Sequence, residues 1–170
     1  SYGLQPYKMI VVQNPELKEK LVPASFGQQQ ISQSAAILVF AVRTDFGMDY
    51  IDQFFKDMST KRQIPLENLE GYKNFMKGSF ANKSEDEILS WATNQVYLTM
   101  GHMLVSLAAL KIDACPMEGL DPNAYDKILD LEAKQLKTIV AMPIGVRAKD
   151  DATASALKVR KDLSEIIIDL

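Results

Sequence analysis

Two cations near the end of the chain, Lys158 and Arg160, are spaced so that they could bind one anionic ligand. Residues two apart on an extended segment project to the same side. Arg160 would supply a planar, bidentate guanidinium and Lys158 a compact positive charge, and together these can hold a phosphate group. Taken alone, however, such a pair is more often part of a solvated basic loop, so the phosphate interpretation needs support from the rest of the chain.

A second candidate site is the segment 116–119 (PMEG), which is predicted to form a turn after a long helix. Gly119 would allow a ligand to approach the backbone closely, because glycine has no side chain. A backbone amide in the turn could then donate a hydrogen bond to that ligand. The same four residues are also typical of an ordinary turn, and we assign no proton-transfer role to the carboxylate of Glu118.

Other side chains that could react or bind a metal lack partners at a useful spacing. His102 lies in a predicted helix with no cysteine, aspartate or second histidine at a ligand spacing, so a place in the core or at a subunit interface is expected. Cys115 has no histidine close by in sequence and is expected to be a packing residue. The sequence therefore predicts no catalytic residue and no metal site.

The composition limits the class of protein. The chain has 170 residues, of which 47% are apolar and 24% charged, as in a folded soluble protein. A net charge of -3 argues against a nucleic-acid groove, which needs a basic surface. A single cysteine rules out an internal disulfide, and no run of about 18 apolar residues suggests a membrane span. We expect one cytoplasmic domain, residues 1–170.

Patterns of apolar residues and turn signals predict the elements that would position these side chains. Strands are predicted at 7–12, 36–42, 136–144 and 164–170. The run 36–42 is apolar at every position, which predicts a strand covered on both faces. Helices are predicted from Pro15 to about residue 21, from Pro122 to about residue 132, and in two pieces between 46 and 78, broken near Ile64-Pro65. The class is α+β or mixed α/β.

The longest predicted helix runs from Ser84 to about residue 111. Ser84 and Glu87 fit a capping box, in which each side chain accepts a hydrogen bond from the backbone amide of the other residue. Apolar residues then recur at helical spacing and spread over much of the circumference. Such a helix is expected to lie buried in the centre of the protein, with part of it facing another subunit.

Four segments, in a consistent order and spacing, resemble the FMN-dependent nitroreductase family. They are 1–7 (SYGLQPY), 26–31 (FGQQQI), 95–98 (QVYL) followed by 116–121 (PMEGLD), and 157–160 (LKVR). The resemblance implies an α+β fold with a central, mostly antiparallel sheet flanked by helices, and with the long helix buried in the core. It also implies a homodimer in which the C-terminal strand is exchanged between subunits and FMN lies at the interface.

The resemblance further implies which residues bind ligands. Lys158 and Arg160 would hold the phosphate of FMN, and an amide of the 116–119 turn would donate to N5 of the flavin ring. The residues implied to bind FMN are Ser1, Tyr2, Gly27, Gln28, Gln30, Pro116, Met117, Glu118, Gly119, Lys158 and Arg160. Aromatic residues are implied to line the open flavin face, where nicotinamide and acceptor stack in turn: Tyr2, Phe26 and Phe75.

The sequence departs from the family pattern in two respects. Members have a further N-terminal segment with a basic motif of the type Arg-x-Ser-x-Arg, which helps to hold the FMN phosphate. We therefore expect the natural chain to extend N-terminally by about one helix and a loop, and the site in these 170 residues to be incomplete. Gly27 stands where many members have an asparagine against the flavin pyrimidine; the neighbouring Gln28 and Gln30 are candidates to replace that contact.

The reaction implied by the resemblance is hydride transfer from NADH or NADPH to FMN. Reduction of a nitroaromatic, a quinone or a related small-molecule acceptor would follow in a ping-pong mechanism. Because the flavin carries the reactive chemistry, the protein would supply geometry and electrostatics rather than an acid–base pair. Two alternatives stay open: a family member with another reaction, such as dehalogenation or flavin fragmentation, and a flavin-binding protein without turnover.

Overall fold

The central element is one antiparallel sheet of four strands in the order β1-β2-β4-β3. The computed structural model describes residues 2–170, so the predicted contact of Ser1 with FMN lies outside the described residues. The strands are Tyr7–Val12 (β1), Ala36–Arg43 (β2), Asp113–Ala114 (β3) and Leu136–Gly145 (β4). β2 pairs with β1 along one edge, with Ile10 opposite Val39, and with β4 along the other.

Helices surround the sheet within residues 2–170. The α-helices are Pro15–Leu21 (α1), Gln30–Gln33 (α2), Met48–Arg62 (α3), Glu70–Phe80 (α4), Glu85–Ala109 (α5) and Pro122–Ile128 (α6). Short 3-10 helices span Pro23–Ser25, Leu66–Leu69, Glu132–Lys134 and Leu163–Glu165. None of the helices in this described range combines the length and the apolar character that crossing a bilayer demands.

β2 is covered on both faces, as its unbroken apolar run predicted. On one face, Ile37 and Val39 belong to a cluster with residues of α1, α2 and α6. On the other face, Leu38 and Phe40 pack in a cluster with residues of α5. Successive side chains of a strand point to opposite faces, so each layer of helices receives every second residue. The sheet is therefore the middle of three layers, and the predicted α+β class is confirmed.

The segment between β2 and α5 contains two helices, α3 and α4, which share a small core of their own. Phe55 and Met76 are fully buried between α3 and α4, together with Leu4 from the loop before β1. α3 ends where Gln63 adopts a left-handed φ of 54° and Pro65 follows. The predicted break near Ile64-Pro65 is therefore confirmed.

α5 begins with the predicted capping box. The amide of Glu87 donates to Ser84 Oγ at 3.2 Å, and the amide of Ser84 donates to Glu87 Oε2 at 2.8 Å. The side of the helix that carries Val96 is buried on the sheet, whereas Leu98 and Val105 on the other side are 58% and 70% exposed. Within a single chain the helix is thus buried along one side. That its exposed side faces another subunit stays a prediction.

The C-terminal run 164–170 forms no strand in the described chain. The 3-10 helix Leu163–Glu165 leads into an irregular end in which Ile168 is 83% exposed. Residues that favour strands become one only when a neighbouring strand pairs with their backbone, and none lies beside this run within residues 2–170. The exchange of this run with the sheet of a partner stays a prediction.

Two smaller differences concern α6 and the shortest elements. α6 ends at Ile128 rather than near residue 132, because Asp130 turns into the left-handed region with φ 52°. Neither α2 nor β3, which have four and two residues, was predicted from the sequence. Segments this short carry no periodic pattern of apolar residues.

Candidate functional site

The loop around Gln28 and the turn around Gly119 lie side by side. Nε2 of Gln28 donates to the carbonyl oxygen of Gly119 at 2.8 Å and to that of Ser25 at 3.0 Å. The side-chain amide of Gln30 donates in turn to Oε1 of Gln28 at 3.2 Å. Two segments that were predicted to bind the same ligand are therefore in direct contact, although 91 residues separate them in sequence.

The contact brings the backbone of Gly119 close to the side chain of Gln28. A Cβ atom there would lie 3.1 Å from Nε2 of Gln28 and 4.0 Å from Cδ2 of Phe26. The first of these distances is tighter than side-chain carbons normally allow. Because the backbone of Gly119 is not in the left-handed region, close approach rather than conformational freedom explains the residue.

The loop that carries Gln28 contains two consecutive left-handed residues. Phe26 has φ 53° and Gly27 has φ 77°, and the first of these is strained because a bulky side chain disfavours that region. Backbone hydrogen bonds hold the conformation, including one from the amide of Gly27 to the carbonyl of Val22 at 3.0 Å. The ring of Phe26 is left 73% exposed. Strain of this kind is concentrated at functional sites.

The 116–119 turn is anchored in the core on both sides. Met117, which is buried, exchanges two backbone hydrogen bonds with Ala141 of β4, at 2.8 and 3.1 Å. The amide of Asp121 donates to the carbonyl of Ala24 at 2.7 Å. Between these anchors, the amides of Glu118 and Gly119 make no hydrogen bond within residues 2–170. The turn therefore presents two free N–H donors beside the loop of Gln28.

These donors fit the ring of a flavin, which needs hydrogen-bond donors around N1, O2 and N5. Besides the amides of Glu118 and Gly119, one side-chain hydrogen of Gln30 is free, because its other hydrogen reaches Gln28. Gln28 itself uses both amide hydrogens on Ser25 and Gly119. Of the two glutamines expected to replace the asparagine contact, Gln30 retains a donor, whereas Gln28 supports the turn.

Tyr97 of α5 joins the site, although the sequence analysis gave it no role. Its hydroxyl donates to Oε1 of Glu118 at 2.6 Å. This hydrogen bond, and secondly the partial burial of the ring, raise the pKa of Tyr97 to about 12. A tyrosine on an apolar helix is typical of a core residue, so the helical pattern alone gave no reason to place Tyr97 in a ligand site. Its place in the segment 95–98, which resembles the family, was the signal that could have drawn attention to it.

The aromatic residues predicted to line the flavin face occupy two places. The hydroxyl of Tyr2 lies 3.4 Å from Oγ of Ser79, which donates to the carbonyl of Phe75 at 3.1 Å, so Tyr2 and Phe75 are near each other. Phe26 lies beside Gly119 instead. The three side chains are 37%, 65% and 73% exposed, in the order Tyr2, Phe75 and Phe26. Each is therefore accessible to a flat ligand.

In the described chain, residues 2–170, Lys158 and Arg160 do not lie beside the other predicted site residues. Every residue from 152 to 170 is exposed, and the guanidinium of Arg160 donates to the carbonyl of its neighbour Val159 at 2.8 Å. The segment is thus not positioned by packing against the core. The phosphate clamp stays a prediction, and it requires this segment to pack against the ligand or another subunit.

Two expectations about reactive residues need correction. Cys115 is exposed rather than packed, because it directly follows β3 at the edge of the sheet. His102 is also exposed, because it lies on the side of α5 that faces away from the sheet. The core position expected as one possibility for His102 is therefore wrong, and the interface position stays a prediction.

The sequence of residues 1–146 matches the profile of the nitroreductase family. A Staphylococcus haemolyticus protein provisionally named an NAD(P)H nitroreductase is 32% identical over 139 residues, covering 79% of this chain and 62% of that protein. A Bacillus subtilis protein with the same provisional name is 32% identical over 164 residues, covering 88% of this chain and 73% of that protein. The chain therefore spans less than two thirds of the first relative and about three quarters of the second.

Solved structures show the same fold. A crystal structure of a provisionally named nitroreductase from Bacillus subtilis has a TM-score of 0.85 at 22% identity, covering 98% of this chain and 79% of that one. Another, from Exiguobacterium sibiricum and in complex with FMN, has a TM-score of 0.82 at 21% identity, covering 100% of this chain and 79% of that one. These likenesses confirm the architecture predicted from the sequence.

Proposed function

This chain belongs to the nitroreductase family, and on that basis we propose that it is an FMN-dependent oxidoreductase. Its electron donor is NADH or NADPH, and its acceptor is a nitroaromatic, a quinone or a related small molecule, reduced in a second half-reaction. The provisional names of the staphylococcal and Bacillus relatives refer to NAD(P)H, and the Exiguobacterium protein binds FMN. Both facts support the proposal, which includes a cytoplasmic homodimer.

One observation carries the proposal: the contact of Gln28 with Gly119 beside two free backbone amides. Backbone N–H groups that are anchored on both sides, by Met117 and Asp121, are held in place before a ligand arrives. A preorganised set of donors binds and tunes a flavin ring, since hydrogen bonds to its nitrogens and oxygens alter its electronic properties. The geometry is therefore suited to a flavin rather than to a metal ion, which would need acceptors.

The residues of this chain would bind and orient the cofactor. When bound, FMN would supply the electron-transfer chemistry at its ring, between the reduced nicotinamide and the second substrate. The amides of Glu118 and Gly119 would donate to the ring, and Gln30 would donate in place of the missing asparagine. Lys158 and Arg160 would neutralise the phosphate.

The exposed aromatic rings would bind the two flat substrates. Rings of Tyr2, Phe26 and Phe75 offer apolar faces on which a nicotinamide or a nitroaromatic can stack, an arrangement that favours offset or edge-to-face contacts. Tyr97 has a pKa of about 12, so its phenol stays protonated at neutral pH and cannot act as a base. The protein thus contributes binding and orientation, and the shapes of the two aromatic places, Tyr2 with Phe75 and Phe26 beside Gly119, would select the acceptor.

The experiment that tests the proposal uses the full-length protein, purified and supplied with FMN. The flavin absorption band after gel filtration shows whether FMN is retained, and the oxidation of NADH and NADPH is followed with and without benzoquinone or nitrobenzene. We expect bound flavin and oxidation that depends on the acceptor. Flavin retention without turnover would instead identify a flavin-binding protein, and failure to bind FMN would overturn the proposal altogether.

A further inference from the structure

The hydrogen bond between Tyr97 and Glu118 connects the long helix α5 to the turn that presents the free amides. Resting on the proposed function, we propose that Tyr97 is a positioning residue, which holds the 116–119 turn through the carboxylate of Glu118. In this role Tyr97 fixes the direction of the Glu118 and Gly119 amides without touching the reacting atoms. The carboxylate of Glu118 serves as a tether.

Besides the bond from the amide of Asp121 to the carbonyl of Ala24, three contacts hold the turn. β4 holds Met117 through its two backbone hydrogen bonds with Ala141. Gln28 holds the carbonyl of Gly119 at 2.8 Å. Tyr97 holds the side chain of Glu118 at 2.6 Å, between those two points. Without the third contact, the turn would keep its backbone hydrogen bonds, including the one from the amide of Leu120 to the carbonyl of Glu118 at 2.8 Å, but the peptide between Glu118 and Gly119 would lose its connection to the helix.

The helix is a rigid support for this contact. Val96, the residue before Tyr97, is fully buried against the sheet, and the capping box at Ser84 fixes the start of the helix. The aromatic ring of Tyr97 has only two rotatable bonds, so little conformational entropy opposes the contact. Since the helix side of the link is packed on the sheet, the link restrains the exposed turn.

The chemistry of the pair explains why it acts as a tether. A distance of 2.6 Å is typical of a hydroxyl that donates to an ionised carboxylate, the stronger class of hydrogen bond. The hydrogen bond to Glu118 favours the protonated phenol and, with partial burial and the negative charge of the carboxylate, raises the pKa of Tyr97 to about 12. At neutral pH the phenol therefore remains a donor, and Glu118 has one oxygen engaged by it.

The link predicts a specific pattern among four variants. Tyr97→Phe removes the donor, and Glu118→Ala removes the acceptor. Either change should raise the FMN dissociation constant about three- to tenfold, as expected for the loss of one partly exposed charge-assisted hydrogen bond. The double variant should be no weaker than the worse single variant, because both remove the same contact. Glu118→Gln keeps an acceptor oxygen, so its FMN dissociation constant should stay close to that of the wild type.

Two readouts on the FMN-free protein separate positioning from a general loss of structure. In a tyrosine titration with assigned resonances, the pKa of Tyr97 should be about 12 in the wild type, and Glu118→Gln should lower it towards the ordinary value of 10.0. Hydrogen exchange at the amide of Met117 should become several-fold faster in Tyr97→Phe. The control is Tyr72→Phe, since the hydroxyl of Tyr72 has no hydrogen bond within residues 2–170, and it should change neither readout.

The outcomes distinguish this inference from the proposed function. If the wild type binds FMN and Tyr97→Phe matches Tyr72→Phe in FMN affinity and exchange, the role of Tyr97 is wrong and the proposed function stands. If the losses of FMN affinity in the two single variants add up in the double variant, Tyr97 and Glu118 do not act through one contact. The inference is then again overturned. If the wild type binds no FMN, both proposals fail together.

Discussion

The side-chain amide of Gln28 lies 2.8 Å from the carbonyl oxygen of Gly119, and it joins two loops that are 91 residues apart in the chain. The same amide nitrogen lies 3.0 Å from the carbonyl of Ser25, whose side chain is buried in the core. Gln28 therefore adds a side-chain connection between the turn and the core to the backbone anchors at Met117 and Asp121. This arrangement makes the contact testable by a small change at either end.

Replacing Gly119 with alanine should weaken FMN binding without unfolding the protein. The added methyl group would lie 3.1 Å from Nε2 of Gln28, and the flexible end of that side chain can move away more easily than the backbone. One neutral hydrogen bond is lost, which costs about 0.5–1.5 kcal/mol. In a Gln28→Ala background the same Gly119→Ala change should have almost no further effect on the FMN dissociation constant. Additive losses would contradict the contact.

The buried pair of Ser25 and Tyr125 should show an asymmetric loss of stability. Ser25 Oγ donates to the carbonyl of Leu21 at 2.8 Å, so the hydroxyl of Tyr125, 2.7 Å away, is the donor to Ser25. Ser25→Ala leaves the phenol buried without this acceptor, at a cost of about 1–3 kcal/mol. Tyr125→Phe leaves Ser25 bonded to Leu21 and should cost less, about 0.5–1.5 kcal/mol. Urea denaturation measures both; a larger loss for Tyr125→Phe would refute this assignment of donors.

Local signals in the sequence were sufficient for most of the fold. The strand at 36–42 was predicted because seven consecutive apolar residues need cover on both faces, and the cap at Ser84 because Glu87 follows at the spacing of a capping box. Each of these signals lies within a single secondary-structure element, β2 for the first and α5 for the second. The C-terminal run forms no strand within one chain, because a strand depends on a neighbour, which residue preferences alone do not supply; its pairing with a partner stays a prediction.

The candidate site was less predictable, because its contacts are not local. The resemblance to a family indicated that Gln28 and Gly119 share a ligand, but the bond between them depends on how the loops pack. Tyr97 was missed for the same reason, since its partner Glu118 is 21 residues away and lies in a turn. Spacing within one segment cannot reveal partners that are brought together by the sheet.

The capping box of α5 should make stability depend on acidic pH. Hydrogen bonds from the backbone and then the side chain of Ser84 hold the pKa of Glu87 below its ordinary value of 4.5. The folded state therefore binds this proton less readily than the unfolded state, so the contribution is complete above pH 4.5 and is lost as the pH falls through the lower, folded pKa. The difference in unfolding free energy between the wild type and Glu87→Gln should shrink between pH 5 and pH 3. Glu85→Gln, which removes a charge from the same turn but leaves the box intact, is the matched control for the effect of charge alone.

Removing the two cations near the C-terminus should weaken FMN binding and leave stability unchanged. Lys158→Ala with Arg160→Ala would remove two charge-assisted contacts to the phosphate, each contributing about 1.5–3 kcal/mol. Both residues are exposed and outside the packed core, so the free energy of unfolding without FMN should not change. The matched control is Lys149→Ala with Lys161→Ala, which removes the same charge from the same region. Equal FMN affinity in the two double variants would place the phosphate elsewhere.

The exposed side of α5 should be the centre of a homodimer interface. Leu98 and Val105 are seven residues apart, so they lie on the same side of the helix, and they are 58% and 70% exposed. Exposed apolar side chains aligned along a helix are typical of a face that packs against another protein surface. An obligate dimer that used this face and the C-terminal run would bury well over about 2,000 Å² in total.

A charge on this face should separate the subunits. Val105→Glu would place a carboxylate in the interface without a partner, and burying such a charge costs several kcal/mol. Sedimentation of the full-length protein at micromolar concentration should show a dimer for the wild type and a monomer for Val105→Glu. Met48→Glu, at an exposed apolar residue of α3, should remain a dimer. If FMN lies at the interface, Val105→Glu should also lose FMN, whereas a monomeric wild type would show that the apolar side of α5 has another role.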